Sequence, residues 1–356
     1  MQKPEFIAGN ELSFIDYMSR VRAKNGRIAL ITHNDLDGLV SGKVANEVLK
    51  TDFIKFIDYI DLNQYLVNEL RELKVDFVVF TDLNIENSKI IKDITQFAEV
   101  LIIDHHRFTE DINYEKIVFL NAQGLCAGYL CYYLFSKVQN LENIDWLVVC
   151  SCLSDWLFIK NENWIREVYK KYNEEFKIEN NSFKNGRIWD VQEDLSSAIL
   201  YFRPNLKRVF DQIGKNFGQM GDLKKYADEV KKEAKKALDR FSKESLIIGG
   251  VYFWEINSKY PVKDIVVNIL SMEQPNTTFI VAEKRGEYYK ISARRQNKDV
   301  DLPKLMKYLT QGFRNSSAGG HIPAAGANFP NEYYEEFKKR LRNLKIFTSF
   351  SVQSNI

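Results

Sequence analysis

Three short segments place acids and histidines where chemistry could be done. In "HNDLDG", His33, Asp35 and Asp37 alternate with other residues ahead of Gly38. "TDLN" carries Asp82, and "DHHRF" carries Asp104, His105 and His106. Each follows directly on an apolar run: "RIALIT", "DFVVFT" or "VLII". A single acid after a strand is commonly a helix cap; three such ends, two with histidine, exceed what capping explains. The chain has only four histidines, and the fourth, His321, lies in the glycine-rich "SSAGGHIPAAGANFP". Carboxylates packed a few ångströms apart repel, and some take up protons unless a cation lies among them. A mixed carboxylate and imidazole set suits Mn²⁺, and less tightly Mg²⁺, without excluding zinc or iron. Five or six ligands suit two ions roughly 3.5–4 Å apart better than one. Such a pair would clamp a phosphoryl oxygen and activate a water for attack.

The elements that must position these residues follow from periodicity. Short apolar runs at 27–32, 53–57, 76–81, 100–104 and 116–120 predict buried strands, with helical spacing at 38–50 and 62–73 between them. That alternation predicts an α/β fold with a mostly parallel N-terminal sheet flanked by helices. Sites in such sheets form at the carboxyl ends of strands, where the three segments fall. Segments 127–138 and 144–158 predict buried helices. Residues 160–243 are rich in Lys, Glu and Asn and match no motif, but 222–245 spaces Tyr226, Val230, Ala234, Leu238 and Phe241 as one packed face of a long connecting helix. The last third predicts a smaller α/β domain: a strand at 245–256, a helix at 262–272, a hairpin at 277–295 turning at Arg285-Gly286, and a terminal helix–strand pair. The expected domains are 1–220 (with 160–220 an unassigned helical part), a linking helix at 221–245, and 246–356, with the active site in the interdomain cleft.

Composition sets the outer limits. The 356 residues are 45% apolar and 28% charged, enough for a core in a soluble protein. A net charge of +2 excludes a globally basic nucleic-acid coat while leaving room for a local basic groove. There is no membrane-spanning run, and the N-terminus carries charges where a signal peptide is apolar, so a cytoplasmic location is expected. The four cysteines, Cys126, Cys131, Cys150 and Cys152, lack zinc-site spacing and are expected to be buried thiols.

"HNDLDG", "TDLN" and "DHH", in that order after successive strands, resemble the signature motifs of the DHH phosphoesterase superfamily. "GGHIPAAG" resembles the closing motif of its DHH-associated C-terminal domain, and "ISARR" its Ser-x-Arg substrate-binding element. The superfamily includes RecJ exonucleases, nano-RNases, cyclic-dinucleotide phosphodiesterases and family II pyrophosphatases. The resemblance implies that His33 and Asp35 hold one metal, Asp37 and His105 a second, and that Asp82 bridges them. The fourth motif aspartate falls best on Asp155, with Asp145 as the other candidate. His106 would contact the substrate phosphate and Asp104 would support the ligands. Ser292, Arg294, Gly319, Gly320 and His321 would bind substrate, Arg295 being the alternative to Arg294. The first motif, His-x-Asp-x-Asp-Gly, departs from the His-x-x-Pro-Asp-x-Asp of many phosphodiesterases in the family and lies nearer the RecJ pattern.

The expected activity is a two-metal phosphodiesterase of nano-RNase or RecJ-like type, cutting short single-stranded RNA or DNA oligonucleotides to nucleoside monophosphates. The expected cofactors are two divalent ions, Mn²⁺ first and Mg²⁺ second. Alternatives are hydrolysis of small nucleotides (linear or cyclic dinucleotides, 3′-phosphoadenosine 5′-phosphate) and a non-catalytic scaffold with the same fold. No membrane partner is expected; a homodimer is possible.

Overall fold

A computed structural model describes residues 1–85 and 88–344. Contacts divide the chain into two compact units, Met1–Asp228 and a second from Glu229 onward. The first holds five parallel strands, β1 (Ile28–His33), β2 (Phe53–Ile57), β3 (Phe77–Thr81), β4 (Glu99–Asp104) and β5 (Ile117–Asn121), in the order β2-β1-β3-β4-β5. Alternate residues of each strand enter opposite cores. Leu30, Val79, Leu101 and Ile103 pack on one face, and Ile31, Val78, Phe80, Val100 and Ile102 on the other. Burial on both faces explains why β1, β3, β4 and β5 are largely continuous apolar runs, whereas β2, at the sheet edge, is half-buried and carries Lys55.

The strand order reverses between β1 and β3: the chain moves from β1 to one side, then returns to build the other. The crevice at the carboxyl ends of such a pair is where α/β sheets place ligands. Two buried hydroxyls tie the pair together there, Thr81 Oγ1 donating to Thr32 Oγ1 at 2.8 Å. Thr32 Oγ1 in turn donates to the Gly38 carbonyl at 2.5 Å.

The predicted helix at 38–50 begins earlier, at Leu36–Leu49, because Asp35 is its N-cap. The helix predicted to 158 ends at Ser154. Residues 160–243 fold as the helices Glu162–Lys171, Arg187–Tyr201, Leu206–Gln212 and Leu223–Glu244. The last of these buries Leu223, Ala227, Val230, Ala234, Ala237 and Phe241, so Tyr226 and Leu238 flank the packed stripe instead of lying in it. All four cysteines are buried and free. Among the described residues no helix is long and apolar enough to cross a membrane.

The second unit carries one mixed sheet. Its strands are β6 (Leu246–Ile248), β7 (Val251–Ile256), β8 (Phe279–Arg285), β9 (Tyr288–Arg294), β10 (Ser317–His321) and β11 (Ala324–Pro330), in the order β10-β11-β9-β8-β7-β6. Strands β7 and β8 are parallel, joined through the helix Lys263–Glu273; the other neighbours are antiparallel. The single strand predicted at 245–256 is a hairpin, because Gly249 and Gly250 both take positive φ (59° and 83°), as a two-residue turn requires. The glycine-rich stretch, whose one β-branched residue, Ile322, lies in the turn, forms the edge pair β10–β11. Ile280, Ile291, Leu305, Met306, Phe329 and Phe337 fill the core of this unit. The strand predicted after the helix Tyr334–Arg342 lies outside the described residues.

Candidate metal centre

The carboxyl ends of β1, β3 and β4 bring the three motifs together. At the end of β1, Asp35 is extended and its Oδ1 accepts the Gly38 N–H at 2.9 Å, starting the helix Leu36–Leu49. The other oxygen, Oδ2, is left to face His33 Nδ1 at 2.9 Å. The helix starts so close to the strand that a Cβ on Gly38 would sit 2.3 Å from the His33 carbonyl oxygen; only glycine fits. Asp82 directly follows β3 in a left-handed conformation, φ 58°. That turn leaves both its oxygens buried and pointing at histidines: Oδ2 lies 3.6 Å from His33 Nδ1 and Oδ1 lies 3.2 Å from His105 Nε2.

His105 Nε2 also lies 3.7 Å from Asp37 Oδ2 and 3.7 Å from Asp155 Oδ2. Beside the group Asp82–Asp104–His105–His106, two further ligand groups result, His33–Asp35–Asp82 and Asp37–His105–Asp155, each with ligand atoms within 4.8 Å of one another. Asp82 turns one oxygen toward each. Asp155 reaches the second group from the C-cap of the helix Asp145–Ser154, with its Oδ1 accepting from Ser154 Oγ at 3.1 Å. Trp156 closes that helix in the left-handed region (φ 56°), and the Leu157 N–H returns to the Cys152 carbonyl at 3.0 Å. Asp145, the other candidate, sits at the opposite end of the same helix, where Lys171 (2.7 Å) and Tyr172 (2.8 Å) hold it. It is a structural ion pair, not part of the cluster.

Asp37 is held by groups that carry no sequence signal. The backbone N–H groups of Ala127 and Gly128, at the start of the helix Ala127–Phe135, donate to its two oxygens at 2.7 Å each. Ser151 Oγ adds a third bond, to Oδ1, at 2.5 Å. A Cβ on Gly128 would lie 2.4 Å from Ser151 Oγ and 3.1 Å from Asp37 Oδ1, so this glycine makes room for the carboxylate. His106 borders the cluster, its ring centroid 4.3 Å from that of His105. Its Nδ1 bonds Asp104 Oδ1 at 2.8 Å, and its carbonyl accepts from Asn121 Nδ2 at 2.9 Å. Tyr59, also unmarked in the sequence, stacks on the His33 ring with centroids 4.8 Å apart and planes 25° apart.

The cluster crowds like charges together. Burial, then the charges of Asp37 and Asp35, push the Asp82 carboxyl well above the usual carboxylate range. Burial together with Asp37, Asp35 and Asp82 does the same to Asp155. Burial disfavours charge on His33, but Asp35 and Asp82 outweigh it and raise the imidazole to about 11. Burial also opposes ionisation of Asp35, yet the neighbouring His33 holds it below its ordinary value. For Asp104, burial is overcome by the hydrogen bond and charge of His106, which lower it; His106 is raised in return, against its own burial. Four atoms of the cluster, His33 Nδ1, both Asp82 oxygens and His105 Nε2, are buried without a hydrogen-bond partner. Each such atom costs about 1–3 kcal/mol. The four unsatisfied atoms lie where two divalent ions would each meet oxygen and imidazole nitrogen, so the residues fit such a pair.

In the second unit, Ser292 is buried on β9. It accepts from Lys263 Nζ and donates to Asp264 Oδ1, while Lys263 and Asp264 pair at 2.9 Å. Arg294 Nε donates to Asn268 Oδ1 at 2.7 Å, and its guanidinium lies 3.9 Å from Asp264 Oδ1. Arg295 is buried and committed to Asp299 (Nη2 to Oδ2, 2.7 Å) and the Asn276 carbonyl. Gly319, Gly320 and His321 lie on the edge strand β10, where His321 is exposed and pairs in register with Ala324, itself opposite Arg294 on β9. Gly320 has φ 128°, and a Cβ there would meet the Ala324 carbonyl oxygen at 2.4 Å; a Cβ on Gly319 would meet nothing.

Comparison with known proteins agrees with this reading of the fold. The DHH family N-terminal domain matches residues 27–152, and the DHHA1 domain matches residues 251–345. The chain belongs to the DHH superfamily. No curated protein matches it in sequence. Among solved structures, a DHH-domain protein described as a member of a family of ribosomal proteins is 16% identical, with TM-score 0.66, covering 94% of this chain and 91% of its own. The exonuclease RecJ bound to manganese is 14% identical, with TM-score 0.65, covering 96% and 94%. A pGpG-specific phosphodiesterase from Vibrio cholerae is 13% identical, with TM-score 0.50, covering 89% and 98%. At these identities the likeness is one of fold, shared by this DHH-superfamily chain across both units.

Proposed function

We propose that this DHH-superfamily protein is a hydrolase, a two-metal-dependent phosphodiesterase that cuts short single-stranded oligonucleotides to nucleoside monophosphates. The observation that carries the reading is Asp82, whose two buried, unpartnered oxygens face two separate histidine–carboxylate groups. In this reading His33, Asp35 and Asp82 hold one ion, and Asp37, His105, Asp155 and Asp82 the other. Mn²⁺ is the ion best suited to the donor set, and the RecJ relative carries manganese. Bound there, a divalent pair would supply positive charge to phosphoryl oxygens and lower the pKa of water, so that the water could give up a proton and attack phosphorus. The protein's part is to hold the ligands in place. The N-terminus of the helix Ala127–Phe135 and Ser151 fix Asp37. Asp104 orients His106, whose imidazole would bond the phosphate being cut. For the second unit we propose anion binding by Ser292, Arg294, His321 and the backbone of Gly319 and Gly320, where missing side chains let N–H groups approach a phosphate.

The second reading, hydrolysis of linear dinucleotides alone, is favoured by the fold shared with the pGpG-specific enzyme. A product time course separates the two. End-labelled oligonucleotides from dinucleotides to long oligomers, with pGpG beside them, are incubated with Mn²⁺ or Mg²⁺. Mononucleotide release across several short lengths, lost in Asp82→Asn, is the expected result. Activity confined to dinucleotides selects the second reading. Absence of hydrolysis in a protein that binds Mn²⁺ would reduce the chain to a scaffold.

A further inference from the structure

Tyr59 has no part in the core and no place among the motifs. It leaves the carboxyl end of β2 in a short helical turn, Tyr59–Asp61, and is 41% exposed. The turn does not depend on its side chain. Asp58 Oδ1 accepts the Tyr59 N–H at 2.8 Å, and Asp61 Oδ2 accepts the Asp58 N–H at 3.0 Å. What the side chain touches instead is the site. The ring lies flat on the His33 imidazole and edge-on to His106, centroids 6.1 Å apart. Its hydroxyl lies 3.4 Å from His106 Nε2. His106 therefore has a partner at both nitrogens, Asp104 at Nδ1 and, at the longer distance, Tyr59 at Nε2.

Resting on the phosphodiesterase reading of the site, we propose that Tyr59 is the positioning residue that aims His106 at the substrate phosphate and fixes the plane of the His33 ligand. An imidazole held only at Nδ1 can swing about that bond; a second contact at Nε2 removes the freedom, so its donor or acceptor atom waits at one place. The Tyr59 hydroxyl marks the place beside Nε2; a phosphoryl oxygen of the substrate would displace it there and accept from both the imidazole and the phenol.

The test separates hydroxyl from ring. Tyr59→Phe keeps the stack on His33 and removes only the contact with His106; Tyr59→Ala removes both. Because Tyr59 is half-exposed on a self-capped turn, both variants are expected to fold, checked by thermal melts. With an oligonucleotide substrate and Mn²⁺, Tyr59→Phe is expected to lower kcat roughly three- to tenfold with little change in KM. Its Mn²⁺ affinity, read by calorimetry, stays that of the parent, whereas Tyr59→Ala weakens Mn²⁺ binding as well. A readout independent of turnover comes from ¹⁵N NMR of the imidazoles in the metal-free protein. Tyr59→Phe should shift the His106 nitrogens and leave His321 unmoved. Parent-like kcat in Tyr59→Phe overturns the proposal. If the parent hydrolyses no phosphodiester, the reading of the site fails separately, and the NMR result alone decides: unmoved His106 signals overturn the positioning role, shifted ones sustain it.

Discussion

Asp82 concentrates the conflict between folding and function. It is buried, left-handed in backbone, unpartnered at both oxygens and surrounded by other acids. In chelator-treated protein, Asp82→Asn should therefore raise stability, by about 1 kcal/mol in urea melts, while Mn²⁺-dependent hydrolysis drops roughly 100-fold or more. Loss of both stability and activity would mean that the side chain serves the fold. The protons of the site give a second expectation. Asp82 and Asp155 are raised and His33 is raised to about 11, so the metal-free folded site holds protons at neutral pH that free side chains of the acids would have released. Cations must expel them. Mn²⁺ affinity should accordingly rise with pH through neutrality and go on rising toward the His33 value of about 11, with proton release measurable by calorimetry in buffers of different ionisation enthalpy. A flat profile would count against the ligand set. At this scale the sequence was legible wherever acids and histidines follow apolar runs. It was silent on Ser151, Gly128 and Tyr59: a serine and a glycine in buried helices look like packing, and Tyr59 is one of 18 tyrosines.

The elements position ligands through their ends. Asp35 caps one helix, Asp37 is seated on the N-terminus of another, and Asp155 ends a third. Gly128 tests this arrangement. Alanine in place of glycine inside a helix ordinarily stabilises by about 0.5–1 kcal/mol. Here the added carbon would strike Ser151 Oγ and crowd Asp37, so Gly128→Ala should instead destabilise by about 1–3 kcal/mol and weaken Mn²⁺ binding, as chemical denaturation and calorimetry would show. A stabilised variant with unchanged affinity would refute the close fit. The strands of the first unit were legible because burial on both faces leaves uninterrupted apolar runs. The edge pair β10–β11 was not, since "SAGGH" and "AAGANFP" pair through backbone with almost no β-forming side chains. Helix ends were displaced for a comparable reason: a cap such as Asp35 doubles as a candidate ligand, and spacing alone does not separate the two roles.

For the whole molecule, near-balanced charge bears on substrate. With 50 basic and 48 acidic residues there is little general attraction for a long polyanion. If short oligonucleotides are the substrate, KM should rise with salt along a slope of only about 1–2 in log–log form, as for one or two neutralised phosphates; a slope several times steeper would indicate a long-strand nuclease. The fold class was legible from the β-α alternation, whereas the helices of 160–243 were not assigned because their charged faces mask sparse packed positions such as Leu195, Val209 and Phe210. The residues proposed as ligands are scattered from residue 33 to residue 155, on the ends of separate strands and helices. No fragment or partly folded chain can gather them. Unlike a zinc finger, whose whole ligand set can seed structure, the proposed set of this protein would be complete for a divalent ion only once β1, β3, β4 and the helix Asp145–Ser154 are in place. Titrating the ion during refolding would report the arrival of the finished domain and no earlier stage.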